Sequence, residues 1–299
     1  MKSKAVSEVP NLDANLYDRI QTFYDTSSSL WEATWGEHMH HGFYGPDGRA
    51  KVERRQAQID LIEALLRFAQ VFQAGDPAPE TLLDLGCGIG GSTCYLLAKG
   101  AGRGVGVTLS PVQADRAQVR AQQLGFGDRA QFQVANALAL PFADNSFDLV
   151  WSLESGEHMP DKAQFLREAC RVLKPGGRLI VATWCHRPTE IQPLQPWEEA
   201  LLQGIYQLYH LPGVCSLPDY RTIARSLPLT DLRSADWSTA VAPFWDQVIA
   251  SALDPAIALG ILQAGWPTLQ GALALGLMQQ GYGWGLIRYG VFTGTKATG

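Results

Sequence analysis

Leu83-Asp84-Leu85-Gly86-Cys87-Gly88-Ile89-Gly90-Gly91 is the stretch that decides how this chain folds. An apolar run from Thr81 to Leu85 leads into it. Glycines follow at alternate positions, and a helix-like stretch runs from Ser92 to Lys99. Glycine is needed where backbone turns at positive φ or must lie against a ligand. A strand, a Gly-rich turn and a helix N-terminus together make a pocket of the nucleotide-binding kind. The spacing departs from the dinucleotide fingerprint G-x-G-x-x-G: an acidic residue stands inside the strand end and G-x-G-x-G follows.

Downstream the hydrophobic pattern alternates between strand and helix periods. Strands are expected at 81–86, 104–109, 130–134, 147–153 and 178–184, with helices at 90–99, 111–124 and 161–173. Ser110-Pro111 is an N-cap followed by a first-turn proline. Lys174-Pro175-Gly176-Gly177 reads as a helix stop. Two later strands fit 231–237 and 287–295. Residues 185–228 and 239–286 read as helical insertions outside the sheet order, placed to cap a substrate. Upstream, Val52 to Phe72 is an amphipathic helix with Ile59, Ile62, Leu65, Leu66 and Ala69 on one face, ended by Gly75-Asp76-Pro77. The expected division is an N-terminal helical lid segment at 1–75 and an α/β domain at 76–299.

The 299 residues carry a formal net charge of −5. No Lys/Arg cluster stands out, so nucleic acid is not an expected partner, because phosphate contacts dominate that affinity. Cys87, Cys94, Cys170, Cys185 and Cys215 are scattered without C-x-x-C spacing. That argues against a disulfide framework or a zinc site and for a reducing compartment. Residues 1–11 lack both the apolar core of a secretory signal and the length of a transit peptide, so the chain is expected to act where it is made or to be a mature form. From Pro255 to Ile287 there is no charged residue. This run reads as a buried cap around an apolar site, as a surface for peripheral contact with lipid, or as both. No obligate protein partner is implied.

The glycine variant resembles the first motif of S-adenosylmethionine (SAM) dependent methyltransferases of the Rossmann-like class. The resemblance implies an α/β fold with a mostly parallel seven-stranded sheet, its last strand antiparallel, flanked by helices. It also implies a cofactor site. Asp84 would order the loop Gly86, Cys87, Gly88 and Gly90 or meet the cofactor's ammonium group. The second strand ends Val107-Thr108-Leu109-Ser110-Pro111-Val112-Gln113, without the carboxylate that usually grips ribose, so Thr108, Ser110 or Gln113 must supply those bonds. Asn136, in Ala135-Asn136-Ala137, stands where many SAM enzymes have an Asp that accepts from adenine; it also fits a simple turn residue. Leu153 closes the fourth strand. Tyr24 resembles the tyrosine that cyclopropane-type relatives place near the cofactor, and equally fits an ordinary core tyrosine. S-adenosyl-L-homocysteine would be the product.

The fourth strand delivers Leu153-Glu154-Ser155-Gly156-Glu157-His158-Met159 to the mouth, and two carboxylates and a histidine there suit acid/base work. With Trp35-Gly36-Glu37-His38-Met39-His40-His41-Gly42-Phe43-Tyr44, Thr183-Trp184-Cys185-His186-Arg187 and Ala242-Pro243-Phe244-Trp245, this run resembles the tocopherol methyltransferases of photosynthetic organisms, over nearly the whole chain. Within them it is similar to the branch that acts on γ-tocopherol rather than on the benzoquinol precursor. The resemblance implies methyl transfer to a ring carbon of a prenyl-lipid phenol, γ- to α-tocopherol and δ- to β-. It implies a peripheral protein at the cytoplasmic face of cyanobacterial membranes, or a trimmed plastid protein. A methyltransferase of the same fold acting on another apolar ring, by prenyl-benzoquinol C-methylation or by the N-methylation of an alkaloid subgroup that shares most of these motifs, is one alternative, and an inactive lipid-binding protein is the alternative of another class.

An arene carbon is a poor nucleophile, and removing the phenolic proton pushes electron density onto the ortho carbons. A base is worth about 10²–10⁴-fold in rate. His158, Glu157 and Glu154 are the first candidates. His38, His40 and His41, on a segment that could close over the site, form the second group. No carboxylate cluster with metal-ligand spacing is present and a monophenol offers no chelate, so no metal is implied.

Overall fold

Strand β1, Thr81–Leu85, packs both of its faces, which is why it reads as an unbroken apolar run. Leu82 faces Leu61, Leu65, Trp151 and Ile180 on one side of the sheet. Leu83 and Leu85 face Phe165, Leu166 and Val181 on the other. Side chains on a strand alternate between faces, so one short segment belongs to two cores. The computed structural model describes residues 16–22, 24, 25, 28, 32, 36–190, 192–252 and 266–298.

After helix α1 (Arg54–Ala69), the chain runs β1, α2 (Gly91–Ala98), β2 (Arg103–Thr108), α3 (Pro111–Gln123), β3 (Ala130–Val134), β4 (Phe147–Leu153), a short 3₁₀ turn (Gly156–His158), α4 (Lys162–Val172) and β5 (Leu173–His186). The insertions carry α5 (Pro196–Leu208) and α6 (Leu217–Arg225), then, beyond β6 (Leu229–Asp236), α7 (Ser238–Val241), α8 (Pro243–Ala252) and α9 (Trp266–Gly283), before β7 (Ile287–Lys296). The seven strands are ordered β3-β2-β1-β4-β5-β7-β6. β1 to β5 pair in parallel, and β7 runs antiparallel to both β5 and β6, as expected. The order reverses between β1 and β4, and a ligand crevice forms at such a point, outside the carboxyl ends of the strands.

Helix α3 begins as its sequence predicts, with Ser110 Oγ accepting from the Gln113 amide at 3.0 Å. Two elements differ from expectation by three residues or more. Helix α1 is shorter than 52–72: Glu53 caps its first turn, and Gln70 at φ 55° ends it. Strand β5 starts at Leu173 rather than 178, because Leu173 pairs with Phe147 and the Lys174-Pro175-Gly176-Gly177 run is a bulge within the strand. The N-terminal segment is helical at 16–22 and buries Leu16 and Ile20. Glu32 pairs with both Arg116 and Arg120 of α3, and Asp25 accepts from Ser110 Oγ.

Of the charge-free run, 255–265 lies outside the described residues, and α9 takes up the rest as far as Gly283. Among the described residues no helix is long and apolar enough to cross a membrane.

Helix α1 anchors one face of the sheet through Leu61, which is fully buried. Leu61→Ala is expected to lower unfolding free energy by about 2–5 kcal/mol, read by urea denaturation.

Candidate active site

A cleft opens at the carboxyl ends of β1, β2 and β4. Its floor is the glycine loop. Gly86 has φ 77°, and a Cβ there would lie 2.2 Å from the Ser155 Cβ. Ser155 closes that approach by donating to the Leu85 carbonyl at 2.7 Å, which ties β4 to β1. Gly88 has φ 52°, and among the described residues beyond its chain neighbours nothing lies within 4 Å of where its Cβ would be. That open backbone suits the close approach of a ligand. Gly90, expected in the site, lines no part of the cleft and instead lies against Ala117 and Phe132. Gly91 follows it, and a Cβ on Gly91 would meet the Glu37 carbonyl oxygen at 2.2 Å, so the 37–40 strip lies directly on the start of α2.

Asp84 is buried and accepts from Thr93 Oγ1 at 2.7 Å. Burial pushes its carboxyl up to about 7, and a cationic amino group beside it would favour the ionised form. Thr108 and Gln113 line the cleft, bonded to each other at 2.8 Å. Ser110, expected beside them for the ribose, does not: its hydroxyl is spent on the helix cap and on Asp25. Asn136 lies on the cleft, but its Oδ1 already accepts from the Leu138 amide at 2.9 Å in an Asx-type turn. A carbonyl oxygen has two lone pairs, which leaves one for an adenine amino group. Cys87, Leu109, Ala137 and Leu153 complete this wall.

Tyr24, His38 and His40 cover the cleft from the N-terminal side, together with Tyr17, Ile20 and Met39. Tyr17 and Ile20 were not singled out in the sequence; the spacing Leu16, Ile20, Tyr24 is helical and was the available signal. Gln58 of α1 donates to the carbonyls of His38 and His40 at 2.6 and 2.8 Å, which holds this strip in place. Burial pushes both His38 and His158 down to about 3 and also lowers His40, so all three are neutral. His158 Nε2 is engaged by the Tyr24 hydroxyl at 2.8 Å.

Glu157 is a correction. The tight 3₁₀ turn sends His158 to the cleft and Glu157 beneath it, where Thr183 Oγ1 donates to it at 2.7 Å. Burial, and then the Glu154 carboxylate, push Glu157 up to about 8, which makes it a neutral carboxyl rather than a base. Glu154 behaves oppositely. Burial alone would raise it, but His41, through its ring and its amide, holds it below its ordinary value. It accepts four bonds: from the His41 amide (2.8 Å), His41 Nδ1 (2.9 Å), Trp184 Nε1 (3.2 Å) and the Tyr289 hydroxyl (2.8 Å). Its φ of 54° is left-handed, a strain of roughly 1–2 kcal/mol for a residue with a Cβ. Such strain gathers at functional sites where the surroundings over-determine it. His41 itself sits behind the cleft wall, beyond Glu154.

The fold and this cleft define an S-adenosylmethionine-dependent methyltransferase. A family model described as "Methyltransferase domain" matches residues 83–181. The structure superposes with a TM-score of 0.74 on a geranyl diphosphate C-methyltransferase from Streptomyces coelicolor A3(2), solved with S-adenosyl-L-homocysteine, at 24% identity over 96% of this chain and 100% of that one. In sequence, the chain is 50% identical over 285 residues to "Probable tocopherol O-methyltransferase, chloroplastic" of Oryza sativa subsp. japonica, covering 94% of this chain and 78% of that protein. It is 47% identical over 283 residues to "Tocopherol O-methyltransferase, chloroplastic" of Arabidopsis thaliana, covering 93% and 81%. The chain belongs to the tocopherol methyltransferase family. Both plant relatives are described as chloroplastic, which agrees with a plastid setting and gives no support to a cyanobacterial one.

The cofactor brings a methyl group already activated on a positively charged sulfur. The chain's part would be to hold and orient it: Gly88 would offer backbone, Asp84 a carboxylate for the amino end, and Thr108, Gln113 and Asn136 polar groups for the nucleoside. A cation bound at Asp84 expels a proton wherever that carboxyl is protonated. SAM affinity is therefore expected to fall about tenfold for each pH unit below about 7 and to level off above it. Asp84→Asn should weaken binding and flatten that slope in calorimetric titrations; an unchanged slope would assign the proton to another group.

Proposed function

We propose that the protein methylates the chromanol ring of γ-tocopherol at carbon to give α-tocopherol, and converts the δ-form to the β-form in the same way. The observation that carries this reading is the wall beyond the cofactor cleft. There an ionised carboxylate and a histidine lie among the rings of Trp184, Phe244, Trp245, Tyr282 and Tyr289, a setting for an aromatic phenol. Identity of about half the residues to plant proteins described as tocopherol O-methyltransferases supports the same acceptor.

A phenolate is nucleophilic at oxygen and at its ortho carbons. Transfer to carbon leaves the phenol free, whereas transfer to oxygen consumes it, so the product decides between them. The described residues of the N-terminal segment act as a lid: Tyr24, His38 and His40 cover the cleft, and Glu32 pairs with Arg116 and Arg120 of α3. A prenyl-lipid substrate is drawn from a membrane surface, here in a plastid. Trp197 and Trp284 are half exposed and in edge-to-face contact at 5.0 Å, at the end of the charge-free run. Tryptophans of this kind favour the boundary between water and lipid.

Purified protein is to be incubated with methyl-labelled SAM and γ-tocopherol in detergent, and the products separated by chromatography. Label is expected in α-tocopherol with its hydroxyl intact. Label in a methyl ether would move the reaction to oxygen. Cofactor binding with no transfer to any tocopherol would reject this acceptor and point to a prenyl benzoquinol or an alkaloid amine.

A further inference from the structure

His41 is the histidine whose two ring nitrogens are assigned by its surroundings. Nδ1 lies 2.9 Å from Glu154 Oε2, and an ionised carboxylate only accepts, so Nδ1 carries the proton. In the neutral ring Nε2 is then the bare lone pair. It is buried and makes no hydrogen bond to any described residue. Around the His41 ring stand five aromatic rings, with centroids 4.9 to 5.8 Å from its own: Trp184, Phe244, Trp245, Tyr282 and Tyr289. Two of these carry polar atoms in the same condition, since Trp245 Nε1 and the Tyr282 hydroxyl are buried without a partner. Buried polar groups are ordinarily paired, and each exception calls for an explanation. An unpaired acceptor and two unpaired donors among aromatic rings are the complement of an aromatic guest bearing oxygen.

We propose that His41, oriented by Glu154, is the base that takes the phenolic proton, and that the surrounding rings seat the acceptor's aromatic head. The inference rests on the phenol acceptor proposed above. The O–H bond breaks, its proton passes to Nε2, and its electron pair spreads from the oxygen onto the ortho carbon. When that carbon has been methylated, its own hydrogen leaves as a proton to solvent and the imidazolium returns its proton to the oxygen, so one proton is released in all.

Glu154 is the positioning residue. It fixes the tautomer through Nδ1, and its charge stabilises the imidazolium that forms. Its other oxygen contacts, to Trp184 and Tyr289, belong to the same box, so the group that aims the base also sets two of its walls. His40 has a free Nε2 as well, but its Nδ1 faces only the His41 carbonyl, a weaker counterpart for a cation. His158 also has an unpaired nitrogen, Nδ1, but its Nε2 faces the Tyr24 hydroxyl and not a carboxylate.

The test uses a nitro-substituted chromanol whose phenol ionises in the neutral range, bound to the protein without methyl donor and followed by phenolate absorbance. The wild type is expected to bind it as the phenolate at a pH where the free probe is mostly neutral. In His41→Asn the bound probe stays neutral, and γ-tocopherol turnover falls about 10²–10⁴-fold, while SAM affinity changes by no more than about twofold. Glu154→Gln should reduce both signals. Added imidazole should restore part of the turnover of His41→Gly, which a purely structural role would not allow. If His41→Asn does not fold, Glu154→Gln and the imidazole experiment decide. Full probe ionisation in folded His41→Asn, or loss of it in His40→Asn or His158→Asn with His41→Asn unaffected, overturns the assignment. If the wild type neither binds the chromanol nor methylates γ-tocopherol, the acceptor itself is wrong and the base assignment falls with it. Turnover of γ-tocopherol by His41→Asn at the wild-type rate removes the base while leaving the acceptor in place.

Discussion

Glu154 is the group on which the acceptor side of the site depends. Four donors converge on its two oxygens, from the N-terminal segment, β5 and β7. No one of them would keep an ionised carboxylate out of water. Together they do, and a carboxylate with several hydrogen bonds is held in its charged form. The left-handed backbone at Glu154 is what turns the side chain from the end of β4 into their midst. The strain is local, and most of the compensation comes from His41 and Tyr289, each more than 100 positions away in sequence.

The contrast with Glu157 shows how burial sorts two carboxylates of one short turn. One is surrounded by N–H and O–H donors and stays charged. The other has Thr183 for its main donor and feels its neighbour's charge, so it is protonated. A second negative charge beside Glu154 would cost too much in a medium that screens poorly. The neutrality of Glu157 is therefore part of what keeps Glu154 ionised.

Much of the fold was legible because it is written in local signals. The double-sided apolar run of β1, the Ser110-Pro111 start of α3 and the strand at the end of the chain each announce themselves within a few residues. The cofactor loop was legible for the same reason, since Asp84 and the glycines lie within one turn. What could not be read was direction and partnership. Nothing within 156–158 says that Glu157 turns under the sheet while His158 faces the cleft. Asp25 and Glu32 carry no signal that they will meet Ser110 and the arginines of α3, because those contacts join segments about 85 residues apart. Asn136 offered both a turn and an adenine contact, and the structure shows the turn made with one of its lone pairs. Lys174-Pro175-Gly176-Gly177 marked the end of α4 but hid the start of β5, because a proline and two glycines mark a loop and a bulge equally well.

The Gly90-Gly91 pair carries a consequence for which substitutions this chain can accept. In a bare strand-to-helix turn, the first residue of the helix would gain from alanine, which favours helix over glycine by about 1 kcal/mol. Gly91 has that position in α2. Yet the backbone of Glu37 rests on it so closely that even a methyl group has no room. The local preference of the helix and the seating of the segment above it are thus opposed at a single atom. A protein selected for helix stability alone would drift to alanine here and lose its cover, so glycine at 91 records the presence of the overlying chain rather than any demand of the turn beneath it.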